Sequence, residues 1–231
     1  MISPIECTIA DGVASVTMND GKVNAMTFDM LDALTDAAKR AREAGAMLVI
    51  RSGSAKAFSA GFDMRVLGSG DLDAARRMLR AGAQLIVDLL GHPHPVIAIC
   101  EGHAYPMGAF LLLASDIRIG AVGDYRIGLN EVSIGIPVPD FALALAQSRV
   151  PASHLARVTT LGRMLTPAEA LAAGFLDQLV QTPDIESSVK VQLADLSDIN
   201  FAAHASTKKR LRANTIAAIE AAIAGEILPL S

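Results

Sequence analysis

The chain has 231 residues, 52% of them hydrophobic and 19% charged, so it can bury a sizeable core and global disorder is excluded. A net charge of −4 leaves no basic surface of the kind that binds nucleic acid, and no apolar run is long enough to span a membrane. The first residues contain neither a basic segment nor an apolar one, so we expect a cytoplasmic protein without an export signal.

The first half of the chain alternates apolar strands with helices. The pattern predicts strands over 12–18, 47–50 and 96–100, and helices over 27–44 and 72–90. Thr27 is placed to cap the first of these helices, and Gly45 to end it. Strands that are apolar on both faces and alternate with helices are typical of an α/β core.

The second half becomes helical towards its end. The pattern predicts a strand over 116–119 and helices near 107–114, 139–147, 152–161, 166–172 and 206–224. We expect an α/β core over residues 1–182 and a helical C-terminal extension over 183–231, which either packs on the core or makes subunit contacts.

Two loops follow buried strands and lead into helices. The first is Ala57–Asp63, where small residues at 59–61 let a ligand approach the backbone; an ordinary strand-to-helix connection is the alternative. The second is Glu101–Phe110, which repeats this arrangement. If each loop contributes one backbone N–H to the same oxygen, the pair forms an oxyanion hole.

A third segment, 127–137, contains one carboxylate, Glu131, in a mostly apolar neighbourhood. Burial would raise the pKa of Glu131 towards neutrality, as an acid/base catalyst requires. The alternative is a glutamate that points to solvent or caps a backbone group.

These three segments, in this order and spacing, resemble the enoyl-CoA hydratase/isomerase (crotonase) superfamily, and the resemblance runs from about Val13 to Val180. Further matching segments are 23–26, 95–98, 114–119, 166–171 and 174–180. The resemblance implies an α/β fold, a spiral of ββα repeats with a helical C-terminal trimerisation region. It also implies an acyl-CoA substrate, a homotrimer or hexamer, and no cofactor apart from the coenzyme A of the substrate.

The resemblance also assigns residues. It places the two oxyanion-hole donors on Ala60 and Met107, although relatives usually carry Gly at the second position. Contacts with coenzyme A are expected from Lys22, Ala60, Gly61 and Asp63. The resemblance implies these roles because each residue occupies the position that has the role in members of the family.

Of the two glutamates that hydratases commonly use, one falls on Glu131 and the other on Phe110. Isomerases that move a 3-enoyl double bond to the 2-position keep only the carboxylate that corresponds to Glu131, so the chain resembles them best. A 1,3-proton shift needs only one base, and Phe110 makes the pocket drier, which slows competing hydration.

Several alternatives stay open. A hydratase, or a thioester hydrolase assisted by Asp140, could use the same frame, although an Asp at a helix start is often only a cap. A non-catalytic acyl-CoA binding protein is a third possibility. His103 could orient substrate. His92 and His94 lack acidic partners at ligand spacing, so no metal site is expected.

The basic stretch Lys208–Arg212 could contact phosphates of the coenzyme. A basic stretch on a helix is more often a solvated face.

Overall fold

The computed structural model describes residues 3–54, 56–225 and 227. The strands are β1 (Ile5–Ala10), β2 (Val13–Met18), β3 (Met47–Ser52), β4 (Ala57–Ser59), β5 (Val96–Cys100), β6 (His103–Ala104), β7 (Ile117–Ala121) and β8 (Gln178–Val180). The helices are α1 (Phe28–Glu43), α2 (Met64–Leu67), α3 (Leu72–Leu90), α4 (Pro106–Ala114), α5 (Asp140–Arg149), α6 (Ala152–Val158), α7 (Pro167–Ala172), α8 (Ile185–Ser197) and α9 (Phe201–Ala224). None of these described helices is long and apolar enough to cross a membrane.

The strands form a large and a small sheet. The large sheet has the order β1-β2-β3-β5-β7-β8; only β1 and β2 pair antiparallel, and the other neighbours are parallel. The small sheet is the parallel pair β4-β6. The first unit, β1-β2-α1, places both strands in the large sheet, whereas the units that begin with β3 and β5 each place one strand in the large sheet and one in the small sheet before a helix, as in β5-β6-α4. This is the expected spiral of ββα units.

Local signals explain the bounds of the long helices. The hydroxyl of Thr27 accepts a hydrogen bond from the Met30 N–H (3.1 Å) and caps α1, and Asp71 caps α3 through the Ala74 N–H (2.9 Å). Both helices match the predicted ranges. The prediction missed β1, β4, β6 and β8, because these strands are either largely exposed or only two to three residues long.

Helix α4 lies in the core. Every residue from Met107 to Ala114 is buried, as expected for a helix that is apolar on all sides. The Phe110 ring meets the Phe141 ring of α5 edge to face, with 5.6 Å between the centroids. Packing on all sides therefore fixes the position of the first turn of α4.

The C-terminal helix α9 packs on α3 and α5 of the same chain. The predicted boundary after residue 182 falls inside the short 3₁₀ helix Thr182–Asp184. The prediction of a solvated basic face on α9 is wrong for Lys208 and Arg212, which are buried because both form ion pairs with Asp116. It holds for Lys209 and Arg210, which are exposed.

Candidate active site

Backbone hydrogen bonds hold the first loop rigidly. The Ala60 N–H donates to the carbonyl of Val23 (2.9 Å), and the Gly61 N–H donates to the Ser59 hydroxyl (3.1 Å). At Gly61 the backbone takes a φ of +88°, in the left-handed region that favours glycine. The chain therefore turns sharply between Ala60 and the residue after Gly61.

This turn changes which N–H of the loop is free. Because the Ala60 N–H already has an acceptor, the expected assignment of Ala60 as an oxyanion donor does not fit the structure. The Phe62 N–H has no acceptor among the described residues. It lies between two backbone bonds to Met26, one from the Met26 N–H to the Gly61 carbonyl (2.8 Å) and one from the Asp63 N–H to the Met26 carbonyl (3.3 Å). The unpaired donor of this loop is therefore Phe62.

The second loop ends in the first turn of α4. Ala109 donates its N–H to Tyr105, but those of Met107 and Gly108 have no acceptor in the part of the chain that the structure describes, as is normal for the first turn of a helix. The expected donor Met107 is thus free to donate. Its buried thioether lies beside Gly82 of α3, and a Cβ built at Gly82 would be 3.3 Å from the Met107 sulfur.

The two loops lie in direct contact. The Tyr105 N–H donates to the Ser59 carbonyl (3.0 Å), and a Cβ built on Gly108 would lie 2.8 Å from the same oxygen. A Cβ built on Gly61 would lie 3.5 Å from the nitrogen of Pro106. The free N–H groups of Phe62 and Met107 follow these contacting residues directly along the chain. Two such backbone donors are what an oxyanion hole requires.

The carboxylate of Glu131 is both buried and without a hydrogen-bond partner in the described part of the chain. Its residue is 6% exposed, and neither carboxylate oxygen has a hydrogen-bond partner among the described residues. Burial raises the pKa of Glu131 to about 7, because a charged carboxylate loses its hydration there; the nearby backbone amide of Glu131 itself opposes this shift only in part. Glu131 can therefore gain or lose a proton near neutral pH.

The segment that leads to Glu131 is attached to the second loop. The Ala104 N–H donates to the Arg126 carbonyl, and the Gly128 N–H donates back to Ala104, both at 3.0 Å. The carbonyl of Glu131 then accepts from the Ile134 N–H (3.0 Å) and the Ile136 N–H (2.9 Å), which fixes the turn around it. Ala104, three residues before Met107, is thus hydrogen-bonded to Gly128, three residues before Glu131.

A cavity of about 710 Å³ opens beside the two loops. Its lining includes Ala60 of the first loop, Val23, whose carbonyl accepts the Ala60 N–H, and His103 and Tyr105 of the second loop. His103 accepts the Arg126 N–H on its Nδ1 (3.0 Å).

Lys56 also lines the cavity, and the sequence analysis missed it, although a cation directly before the first loop was a usable signal. These walls can hold a ligand larger than the reacting group alone.

The remaining expected residues have other surroundings. Lys22 is exposed and does not line the cavity itself, although the next residue, Val23, does. The Asp63 carboxylate caps α2 through the Arg65 N–H (2.9 Å) and pairs with the Arg65 side chain, which lowers the pKa of Asp63. Asp140 is exposed and is the first residue of α5; the cap position belongs to Pro139, so the alternative capping role of Asp140 is wrong.

No group of three or more His, Cys, Asp or Glu side chains within the described ranges could hold a metal ion. His92 is fully buried, and its Nδ1 is bonded to the His94 carbonyl (3.0 Å).

Comparisons with known proteins agree on one family. The family model for enoyl-CoA hydratase/isomerase matches residues 8–228. The chain is 32% identical over 148 residues to "Enoyl-CoA delta isomerase 3" of Arabidopsis thaliana; the match covers 62% of each protein, so it spans less than two thirds of that relative.

Solved structures are similar over nearly the whole chain. A Mycobacterium tuberculosis structure described as an apo enoyl-CoA isomerase is 38% identical, with a TM-score of 0.91, and the match covers 97% of this chain and 98% of that one. An enoyl-CoA hydratase from Mycobacterium ulcerans is 37% identical, with a TM-score of 0.91 and coverage of 96% and 97%. Both reaction names thus occur among similar proteins.

Proposed function

This chain belongs to the enoyl-CoA hydratase/isomerase family, and we propose that it moves the double bond of a 3-enoyl-CoA to the 2-position. The observation that carries the proposal is the buried carboxylate of Glu131, which has no hydrogen-bond partner among the described residues and whose pKa burial raises to about 7. A group with this pKa can both remove and return a proton at neutral pH.

In the proposed reaction the N–H groups of Phe62 and Met107 hold the thioester oxygen. Glu131 removes a proton from C2, the electrons of the C2–H bond form a double bond between C1 and C2, and the carbonyl electrons move onto the thioester oxygen to give a dienolate. When this dienolate collapses, the electrons between C1 and C2 move to C2–C3 and the electron pair between C3 and C4 takes up the proton at C4. Glu131 then returns the proton to C4, which leaves the double bond between C2 and C3. Each backbone donor is worth roughly 10²–10³-fold in rate, because it acts on charge that develops only during the reaction.

Phe110 favours isomerisation over hydration. It occupies the position where the resemblance places the second carboxylate of hydratases, and its ring is 1% exposed and packed on Phe141. Adding water to a double bond requires a bound, polarised water, whereas a proton shift does not. An aromatic ring at this position offers no hydrogen bond to such a water.

The coenzyme A part of the substrate would occupy the cavity beside the two loops, with Lys22 and Lys56 near its phosphates and His103 along its chain. No further cofactor is required. We also propose a homotrimer or hexamer. Three large apolar side chains around the Glu131 turn, Val132, Ile134 and Leu161, are 42%, 49% and 72% exposed, and a neighbouring subunit would cover them.

A direct test incubates the protein separately with 3-enoyl-CoA and 2-enoyl-CoA and identifies the products. We expect conjugated 2-enoyl-CoA from the first and little 3-hydroxyacyl-CoA from the second. Rapid hydration of 2-enoyl-CoA would identify a hydratase. Release of free coenzyme A would identify a hydrolase, and binding without turnover would identify a non-catalytic acyl-CoA binding protein.

The pKa of Glu131 predicts a pH profile. The base must be ionised in the free enzyme, so kcat/KM for 3-enoyl-CoA should fall about tenfold per pH unit below about pH 7 and level off above it. Initial rates between pH 5 and 9 test this. A profile that stays flat down to pH 5 would contradict a buried base with a raised pKa.

A further inference from the structure

A second cavity, of about 450 Å³, lies between the end of α5 and the first turns of α9. Arg149 lines it from α5, Lys208 and Arg212 line it from α9, and Asp116 lines it from the segment before β7. The two cavities share no lining residue, and none of the residues used in the proposed reaction lines the second one. Of the basic stretch that the sequence suggested as a phosphate contact, Lys208 and Arg212 line it.

Both oxygens of the Asp116 carboxylate already have hydrogen-bond partners. One oxygen accepts from the ammonium group of Lys208 (2.5 Å) and the Val96 N–H (2.8 Å), and the other accepts from the Arg212 guanidinium (2.8 Å). Arg149 has no carboxylate partner in the described part of the chain; it donates to the Ser115 carbonyl (2.7 Å). Three cations against one carboxylate leave the cavity with two surplus positive charges.

The cationic side chains are largely buried, and burying a positive charge that has no partner costs free energy. The side chains of Lys208 and Arg212 are 5% and 8% exposed. Arg149 Nε and His204 Nε2 are buried without hydrogen-bond partners among the described residues. Burial and the neighbouring cations lower the pKa of Lys208 to about 8 and that of Arg149 to about 10. Buried charges in folded proteins are normally paired, and a bound anion would provide the missing partner.

Neutral donors complete the site. Asn200 caps α9 by accepting the Ala203 N–H on its side-chain oxygen (2.9 Å), so the amide NH₂ of Asn200 is left to donate. The positive end of this 24-residue helix adds to the field of the cations. Thr207 contributes a hydroxyl to the lining.

We propose that this cavity, lined by Arg149, Asn200, Lys208 and Arg212, is a binding site for a phosphate group. The planar guanidinium groups match the geometry of phosphate oxygens, and a dianion would neutralise the surplus charge. The phosphate could be free or part of a phosphorylated small molecule such as coenzyme A. The site is independent of the proposed isomerisation, because it uses none of its groups.

The test titrates the purified protein with inorganic phosphate, with sodium chloride at matched ionic strength as the reference, and follows heat of binding and the unfolding midpoint. We expect saturable binding that raises the midpoint. The Asn200→Asp variant keeps a good helix cap but adds a negative charge to the cavity, so it should weaken phosphate binding at least tenfold. Arg149→Gln should weaken it to a similar degree.

Arg126→Gln is the matched control, since Arg126 is paired with Asp124 away from this cavity, and it should bind phosphate like the wild type. Competition by coenzyme A would assign the site to its phosphates, and absence of competition would assign it to free phosphate. The proposal fails if phosphate has no effect beyond sodium chloride. It also fails if Asn200→Asp and Arg149→Gln bind phosphate as tightly as the wild type does.

Discussion

Glu131→Gln should lower kcat for 3-enoyl-CoA isomerisation by about 10²–10⁴-fold. The amide has nearly the same shape as the carboxyl but cannot take a proton from C2 at neutral pH. Acyl-CoA affinity should change little, because the coenzyme and the thioester oxygen are held by other groups. Steady-state kinetics and a binding titration with a saturated acyl-CoA measure the two effects.

The same variant should fold well. The pKa of Glu131 is raised in the folded state, so ionising it costs stability as the pH rises from its ordinary value towards about 7. Removing the charge should therefore stabilise the protein at pH 8, and this gain should shrink towards pH 5. Asp140→Asn is the control, since Asp140 is exposed, and it should keep full activity. Loss of activity in Asp140→Asn with near wild-type turnover in Glu131→Gln would contradict the assignment.

Gly108→Ala should lower kcat about 10²-fold. Alanine normally stabilises a helix relative to glycine by about 1 kcal/mol. Here its Cβ would lie 2.8 Å from the Ser59 carbonyl oxygen, which is backbone and cannot move aside alone. The first turn of α4 would shift from the first loop, and the N–H groups of Phe62 and Met107 would lose the relative positions that the proposed oxyanion hole requires. Far-ultraviolet circular dichroism and urea unfolding show whether the variant stays folded while kcat is measured.

Gly53→Ala is the matched control. The atoms nearest to a Cβ there would be side-chain atoms of Asn19 and Thr17 at 3.3–3.4 Å, and neither residue belongs to the two loops that carry the donors. Gly53→Ala should keep kcat. If Gly108→Ala is folded and turns over like the wild type, the alignment of Phe62 and Met107 does not control the rate.

Much of the fold could be predicted because its signals are local. The Thr27 cap, the apolar stripe of α3 and the wholly apolar strand β5 each carry their own pattern, and the observed elements match the predicted ones within a few residues. Strands as short as β6 and β8 gain their structure from neighbours that are distant in sequence, so no local pattern shows them.

The candidate site was predicted in part. Glu131 stood out as one carboxylate in an apolar segment, and the structure buries it. The free N–H of the first loop was expected at Ala60, but the Ala60 N–H is bonded and the unpaired one is that of Phe62. The choice between Ala60 and Phe62 depends on a hydrogen bond to Val23 and on the turn at Gly61, which are tertiary and backbone features. The burial of Lys208 likewise depends on Asp116, 92 residues away.

The most direct test of the proposed proton shuttle uses 3-enoyl-CoA that carries deuterium at C2, in ordinary water. A single base that takes the deuteron from C2 and returns it to C4 predicts early 2-enoyl-CoA product with a measurable share of deuterium at C4, and almost no product from Glu131→Gln. Product without deuterium at C4 even at the earliest times, formed equally fast by Glu131→Gln, would contradict a shuttle through Glu131.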